Sequence, residues 1–356
     1  MKLRVAAAAL LFTASGASAG DALEHELLIF GSAEGAHVPE SSLTTSDTRS
    51  ETFAADILLS LQRGNASLLG EYLLTDHEGD LERFYLGWEP SSHFNLSVGR
   101  FHQPGSVWNS EHHHGQYLQT TITRPAAENW EDDGGIIPQH VTGALVESDW
   151  DLPADRVLKF AAGGGLIPVL EPGGLEPFDL VHPDAHQHRL GYQARIALQA
   201  DPFGESGAGI VFAQEDIGVR DGPLPKLPPL KYVDFTLAGA YATWVHGDWK
   251  VSAVGYYVDA GLTGTTARDS DFLTGYVLGE APLYRNVRAF VRWENTSHVR
   301  DSPYLEFFPA FVNRRTTLGV RWDFLRKQAI TAEVAKARNE AERFNEYRVQ
   351  WSAALL

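Results

Sequence analysis

The sequence predicts an all-β fold, a transmembrane antiparallel up-and-down β-barrel of about 16 strands. Three observations predict it. The chain opens with the parts of a secretory leader. A two-residue alternation of apolar and polar side chains recurs to its last residues. The connections between strands sort into short and long on alternate ends.

Met1-Lys2-Leu3-Arg4 is a short basic segment, Val5 to Phe12 is apolar, and Ala17-Ser18-Ala19 is a small-x-small cleavage site. Residues 1–19 therefore read as a signal peptide removed near Ala19. Residues 20–356 form a single barrel domain. No later segment reaches the roughly 18 apolar residues of a membrane helix, which leaves a barrel untouched because half of each barrel strand is polar. The chain holds no cysteine, so an exported fold must be stable without disulfides, as a closed hydrogen-bonded barrel is. Losing Lys2 and Arg4 takes the formal net charge from −17 to −19. Nucleic acid is excluded as a partner by that charge.

Alternation places strands near 25–35, 49–62, 65–76, 80–89, 93–103, 139–149, 156–166 and 188–200. The second half adds 206–217, 231–246, 248–261, 270–281, 285–297, 312–324, 327–338 and 343–355. In 83–88, Phe84, Leu86 and Trp88 oppose Arg83 and Tyr85. In 190–199, Leu190, Tyr192, Ala194, Ile196 and Leu198 oppose Arg195 and Gln199. In 287–295, Ala289, Val291 and Trp293 oppose Arg288, Arg292 and Glu294. Leu318, Val320, Trp322 and Phe324 oppose Arg315, Thr317, Arg321 and Asp323. In the last strand Tyr347, Val349, Trp351, Ala353 and Leu355 oppose Arg348, Gln350 and Ser352. Segments 206–217, 248–261 and 270–281 alternate less cleanly, so 14 and 18 strands stay open.

If Gly20 starts on the periplasmic side, the inner turns fall at 63–65, 89–93, 148–155, 201–206, 246–248, 280–286 and 325–328, all short. The connections 36–48, 104–138, 167–187, 218–230 and 298–311 fall on the outer side and are long. Tyr72, Trp88, Tyr232, Trp244, Trp249, Tyr257, Tyr276 and Trp351 lie near strand ends, as interfacial girdles require. Leu318, Val320, Trp322, Val349 and Trp351 are expected to face lipid. Arg189, Arg195, Arg288, Arg292, Arg315, Arg321 and Arg348 are expected on the lumen wall.

The alternating, aromatic-bearing end of the chain resembles the closing strand of Gram-negative outer-membrane porins, although the last residue is Leu356 and the alternation is in frame with Leu355. The resemblance covers the architecture of the whole mature chain. It implies that the third outer loop, 104–138, folds into the lumen and narrows it. Its candidate constriction residues are Glu111, His112, His113, His114, Arg124, Glu128, Glu131, Asp132 and Asp133. Glu131-Asp132-Asp133-Gly134-Gly135 is only loosely similar to the acidic signature of that loop in general porins. The resemblance implies loop acids set against the arginine wall, giving a transverse field that orients polar solutes. The implied function is a passive channel for small hydrophilic solutes in the outer membrane of a Gram-negative bacterium. The implied partners are membrane lipid and the outer-membrane assembly machinery. A homotrimer and a monomer both stay open, because the second outer connection, 76–80, is short for a latch onto a neighbour.

Two rivals remain. The first is a non-conducting barrel whose His-rich loops bind a metal or a partner. Adjacent histidines such as His112-His113-His114 point to alternate sides of an extended chain, and His186 with His188 makes only a second pair, so no metal site and no cofactor are expected. The second is an outer-membrane hydrolase. No nucleophile elbow, His-Glu-x-x-His or phosphate-binding loop is present. Ser110 with His114 or His140 is the one pairing in view, and no catalytic residue is expected.

Overall fold

The computed structural model describes residues 22–39, 48–76, 79–112, 115–131, 134–181, 187–200, 205–220, 230–264 and 270–355. The leader 1–19, His113, His114, Asp132, Asp133 and His186 lie outside the described residues, as does the side chain of Glu111.

Sixteen described strands close into one antiparallel barrel. They are β1 (Glu24–Val38), β2 (Thr48–Arg63), β3 (Ala66–Thr75), β4 (Gly79–Ser91), β5 (Phe94–His102), β6 (His140–Leu152) and β7 (Arg156–Leu166), then β10 (Leu190–Gln199), β11 (Gly207–Val219), β12 (Tyr232–His246), β13 (Trp249–Thr263), β14 (Ser270–Tyr284), β15 (Val287–Thr296), β16 (Arg314–Leu325), β17 (Gln328–Arg338) and β18 (Arg343–Ala354). Between β7 and β10 a connection carries the short β8 (Val169–Glu171) and β9 (Gly174–Glu176). Each strand pairs with the next, and β18 returns to β1 with Phe30 opposite Ala354 and His37 opposite Tyr347. Closure leaves no sheet edge, so every ladder has a partner and no disulfide is needed.

The turns on one rim are tight and need left-handed backbone. Gly64, Gly247, Ala154, Asp155, Arg285 and Lys327 all have positive φ. The opposite rim carries the longer connections, the longest of them between β5 and β6. Outward side chains form an apolar band: Leu318, Val320 and Val349 are 54%, 41% and 55% exposed, which is lipid contact in a membrane. Trp88, Trp150, Trp244, Trp249, Tyr284 and Trp322 are exposed close to the tight-turn rim. Tyr72, Tyr192 and Tyr347 are exposed toward the other. Trp351 is half-buried and its Nε1 donates to Gln328. Tyr276 departs from the expected girdle. It points inward, buried, with its ring 6.0 Å from that of Trp108.

The weakly alternating segments have a physical cause. On β11, β13 and β14 the inward residues include Val211, Ala213, Ile217, Val254, Val258, Phe272 and Leu278, all buried, and β12 between them adds Val233, Phe235 and Leu237. Both faces of these strands are apolar because three outer connections fold in against them. Val107, Trp108, Ile136 and Ile137 come from the β5–β6 connection. Leu170 and Leu175 come from β8 and β9. Tyr304, Phe307 and Phe308 come from the β15–β16 connection. Tyr304 stacks between Phe235, Phe272 and Phe308 and donates its hydroxyl to Ile136 O at 2.7 Å. One side of the lumen is thus a hydrophobic core, where the sequence reading expected a uniformly wet interior.

Candidate channel site

The β5–β6 connection enters the barrel as helix α1 (Val107–His112), a 3-10 turn at Gln116–Leu118 and another at Ala126–Glu128. Its backbone is stapled to the inner wall. Arg292, fully buried on β15, donates to Thr121 Oγ1 at 2.8 Å, Thr123 O at 2.6 Å, Thr123 Oγ1 at 2.7 Å and Arg124 O at 3.1 Å. Arg315 on β16 also donates to Arg124 O. Arg321 donates to Tyr117 O at 2.8 Å and to Gln119 O. In the other direction Glu333 accepts the N–H groups of Ile122 and Thr123, Glu294 accepts that of Ala126, and Glu280 accepts the hydroxyl of Thr120. A segment without regular structure has backbone groups that the ladder cannot satisfy, and charged wall residues satisfy them here.

The wall arginines are also neutralised on the wall. Arg292 and Arg315 share Glu294 at 3.0 and 2.7 Å, Arg321 meets Asp323 at 2.8 Å, Arg348 meets Glu34 at 2.6 Å, and Arg288 meets Glu280 at 3.3 Å. Arg195 is half-buried on the inward parity of β10. Arg189 departs from the expected wall. It pairs with Asp216 at 2.9 Å and lies 4.1 Å over the ring of Tyr232, both on the outward parity of their strands.

The loop residues do not oppose that wall across open water. Glu128 is buried and accepts the Trp108 N–H at 2.8 Å, the Tyr256 hydroxyl at 2.9 Å and the Ser106 hydroxyl at 3.0 Å. Burial pushes its carboxyl up to about 7 even so. Glu131 accepts the N–H groups of Gln139 and His140 and faces His140 Nδ1 at 2.7 Å. Arg124 donates to Asn109 at 2.9 Å and stacks 3.4 Å over Trp130. His112 packs its ring 4.5 Å from Trp108, and burial beside Lys250 holds it down to about 4. The Ser110 hydroxyl donates to Ser106 O, while the His140 ring lies between Glu131 and Glu82, so these two do not form a nucleophile pair.

Opposite the apolar side lies an open cavity of about 530 Å³. It runs along the inner faces of β1, β2, β3, β4 and β18, and Trp130, Glu131, Glu176 and Pro177 close its other side. Its lining is acidic. Glu34, Asp56, Asp80, Glu82, Glu131 and Glu176 contribute carboxylates against Arg348 and His140. Sequence reasoning named only Glu131 and the two cations from the charged members of this set. Asp56 and Glu82 were legible as strand residues, but their convergence depends on which strands close the barrel.

No family model matches the sequence, and no curated protein matches it. Solved structures do match in shape. An anion-selective porin from Comamonas acidovorans superposes with a TM-score of 0.61 at 13% identity, covering 93% of this chain and 100% of that one. The fold is that of the outer-membrane porins. The outer-membrane channel DcaP of Acinetobacter baumannii gives 0.60 at 11% identity, covering 94% of this chain and 97% of that one. OmpF of Salmonella typhi in complex with daunomycin gives 0.58 at 11% identity, covering 92% and 97%. At these identities the likeness is one of fold, a closed antiparallel 16-stranded barrel.

Proposed function

We propose that this porin-fold barrel is a passive channel for small hydrophilic solutes. Its passage is off-centre, between the β5–β6 connection and the wall of β1 to β4 and β18, and it favours cations. The observation that carries the reading is the acid-lined cavity. The arginines expected to attract anions are instead engaged with wall acids and loop carbonyls. Fixed carboxylates in a narrow, low-dielectric passage raise the local concentration of cations and exclude anions. Loop residues Glu131 and Trp130 form the inner side of the narrowing, with Glu34, Asp56 and Arg348 on the wall.

Reconstitution in planar bilayers under a salt gradient tests this. The expected result is stable single-channel conductance with a reversal potential of cation-preferring sign, reduced by Asp80→Asn with Glu34→Gln. A barrel that inserts but carries no current supports the plugged rival, which the apolar filling of half the lumen favours. An anion-preferring reversal potential removes the acidic passage as the route.

A further inference from the structure

We propose that Glu82, His102 and His140 form a binding site for a divalent transition-metal ion of the zinc class, with Glu131 orienting the His140 imidazole. His102 ends β5 and His140 begins β6, and the two are register partners across the ladder. Their rings stand 5.1 Å apart, edge to face. Glu82 comes from β4, where the β3–β4 register shifts beside Glu71 and Tyr72. Its Oε2 lies 3.1 Å from His140 Nε2. One ligand atom from each of the three residues falls within 4.8 Å of the others, and all three side chains are buried.

The orientation of His140 points to a metal more than the cluster alone does. Its Nδ1 lies 2.7 Å from Glu131 Oε2, and Glu131 is itself held by the backbone N–H groups of Gln139 and His140. A carboxylate behind one ring nitrogen fixes that nitrogen as the donor N–H. The other nitrogen is then the one that can give its lone pair to an ion once any proton on it is lost, the arrangement that metal-ligating histidines show. Here that other nitrogen faces Glu82 and His102.

Two imidazoles and one carboxylate are a zinc donor set, and metal–ligand bonds of about 2.0–2.2 Å place tetrahedral ligand atoms about 3.3–3.6 Å apart. The three ligand atoms, now within 4.8 Å of one another, must draw in by at most about 1.5 Å to reach that spacing. Glu82 and His140 border the acid-lined cavity, so water and an entering ion have a route to the cluster. Imidazole selects zinc, copper and nickel over calcium and magnesium, which prefer oxygen and higher coordination numbers. On binding, the ion takes the place of the proton on His140 Nε2 that faces Glu82, that proton leaves to solvent, and the Nδ1–H stays with Glu131. The inference does not depend on whether the barrel conducts.

The test is calorimetric titration of Zn2+ into the full-length barrel, folded in detergent, with millimolar Ca2+ present. One equivalent of Zn2+ should bind and release a proton. His102→Gln and His140→Gln should each weaken binding by at least about 100-fold, and Glu131→Gln by about 10–100-fold. His112→Gln should leave it unchanged. Heat-dependent gel migration confirms that each variant is folded. For any variant that is not, the X-ray absorption spectrum of the unaltered zinc-loaded protein decides instead, by imidazole scattering around the ion. No zinc binding, binding that Ca2+ abolishes, affinity unchanged in His102→Gln, or an all-oxygen shell would each overturn the proposal. The cluster would then be a protonated histidine bridging two carboxylates.

Discussion

A single buried carboxyl shows how the lumen loop is held. Glu128 anchors α1 from within the same connection by taking the Trp108 N–H, the Ser106 hydroxyl and, across to β13, the Tyr256 hydroxyl. Its native carboxyl is raised by burial to about 7, above the ordinary value near 4.5. Between those two pH values the unfolded chain has lost a proton that the native one keeps, so stability falls as pH rises through this window, by at most about 1.4 kcal/mol per pH unit. Below the lower value the contribution is constant. Glu128→Gln keeps an acceptor oxygen without the charge. It should remove this pH dependence and stabilise the barrel at pH 8, as read by urea unfolding from detergent micelles at pH 5 and pH 8. An unaltered pH slope in the variant would mean that another group titrates there.

At the scale of the strand, depth in the membrane decides what a charge costs. β18 carries Val349 near its middle, opposite Ala332 and Gly35, and Trp351 closer to the tight-turn rim, bonded to Gln328. An arginine facing lipid costs ~2–4 kcal/mol at mid-depth and ~0–1 kcal/mol near the interface. Val349→Arg should therefore reduce the yield of folded barrel much more than Trp351→Arg, although Trp351 is the larger side chain. Equal yields of the two, measured by heat-modifiable migration after refolding into lipid, would contradict this placement of β18. The same strand-level view explains which elements were easy to read. β16 and β18 alternate cleanly because their inward faces are charged or polar. β13 and β14 do not, because Val254, Tyr256, Phe272 and Leu278 face a loop core rather than water. A period-two pattern reports the contrast between two faces, and it fades when both are dry.

For the whole molecule, the inward connections are both the restriction of the lumen and part of its stability. Deleting residues 109–133 removes the segment that Arg292, Arg315, Arg321, Glu294 and Glu333 staple to the wall. Conductance should rise several-fold, because a barrel of this strand number is wide when unobstructed. The thermal unfolding temperature should drop as well, because the deletion uncovers the apolar inner faces of β12 to β14 and leaves buried charges without their loop partners. A deletion that changes neither quantity would place the connection outside the conducting path and outside the core.

The amino-acid sequence by itself determined the closed antiparallel barrel, the positions of its strands, the rim that carries the short turns, and the outward apolar band through Leu318, Val320 and Val349. These are local properties, carried by a period of two and by turn chemistry within a few residues. Only the tertiary structure decided which half of the lumen is filled, that Arg292, Arg315 and Arg321 hold loop carbonyls, that Arg189 leaves the wall, and that Glu82, His102, Glu131 and His140 meet. The last depends on register across β5 and β6, whose connection is the longest in the barrel, and the others on which strands and connections curve round to face one another. The side-chain period along a strand carries no information about either, because it is the same whichever strand lies opposite.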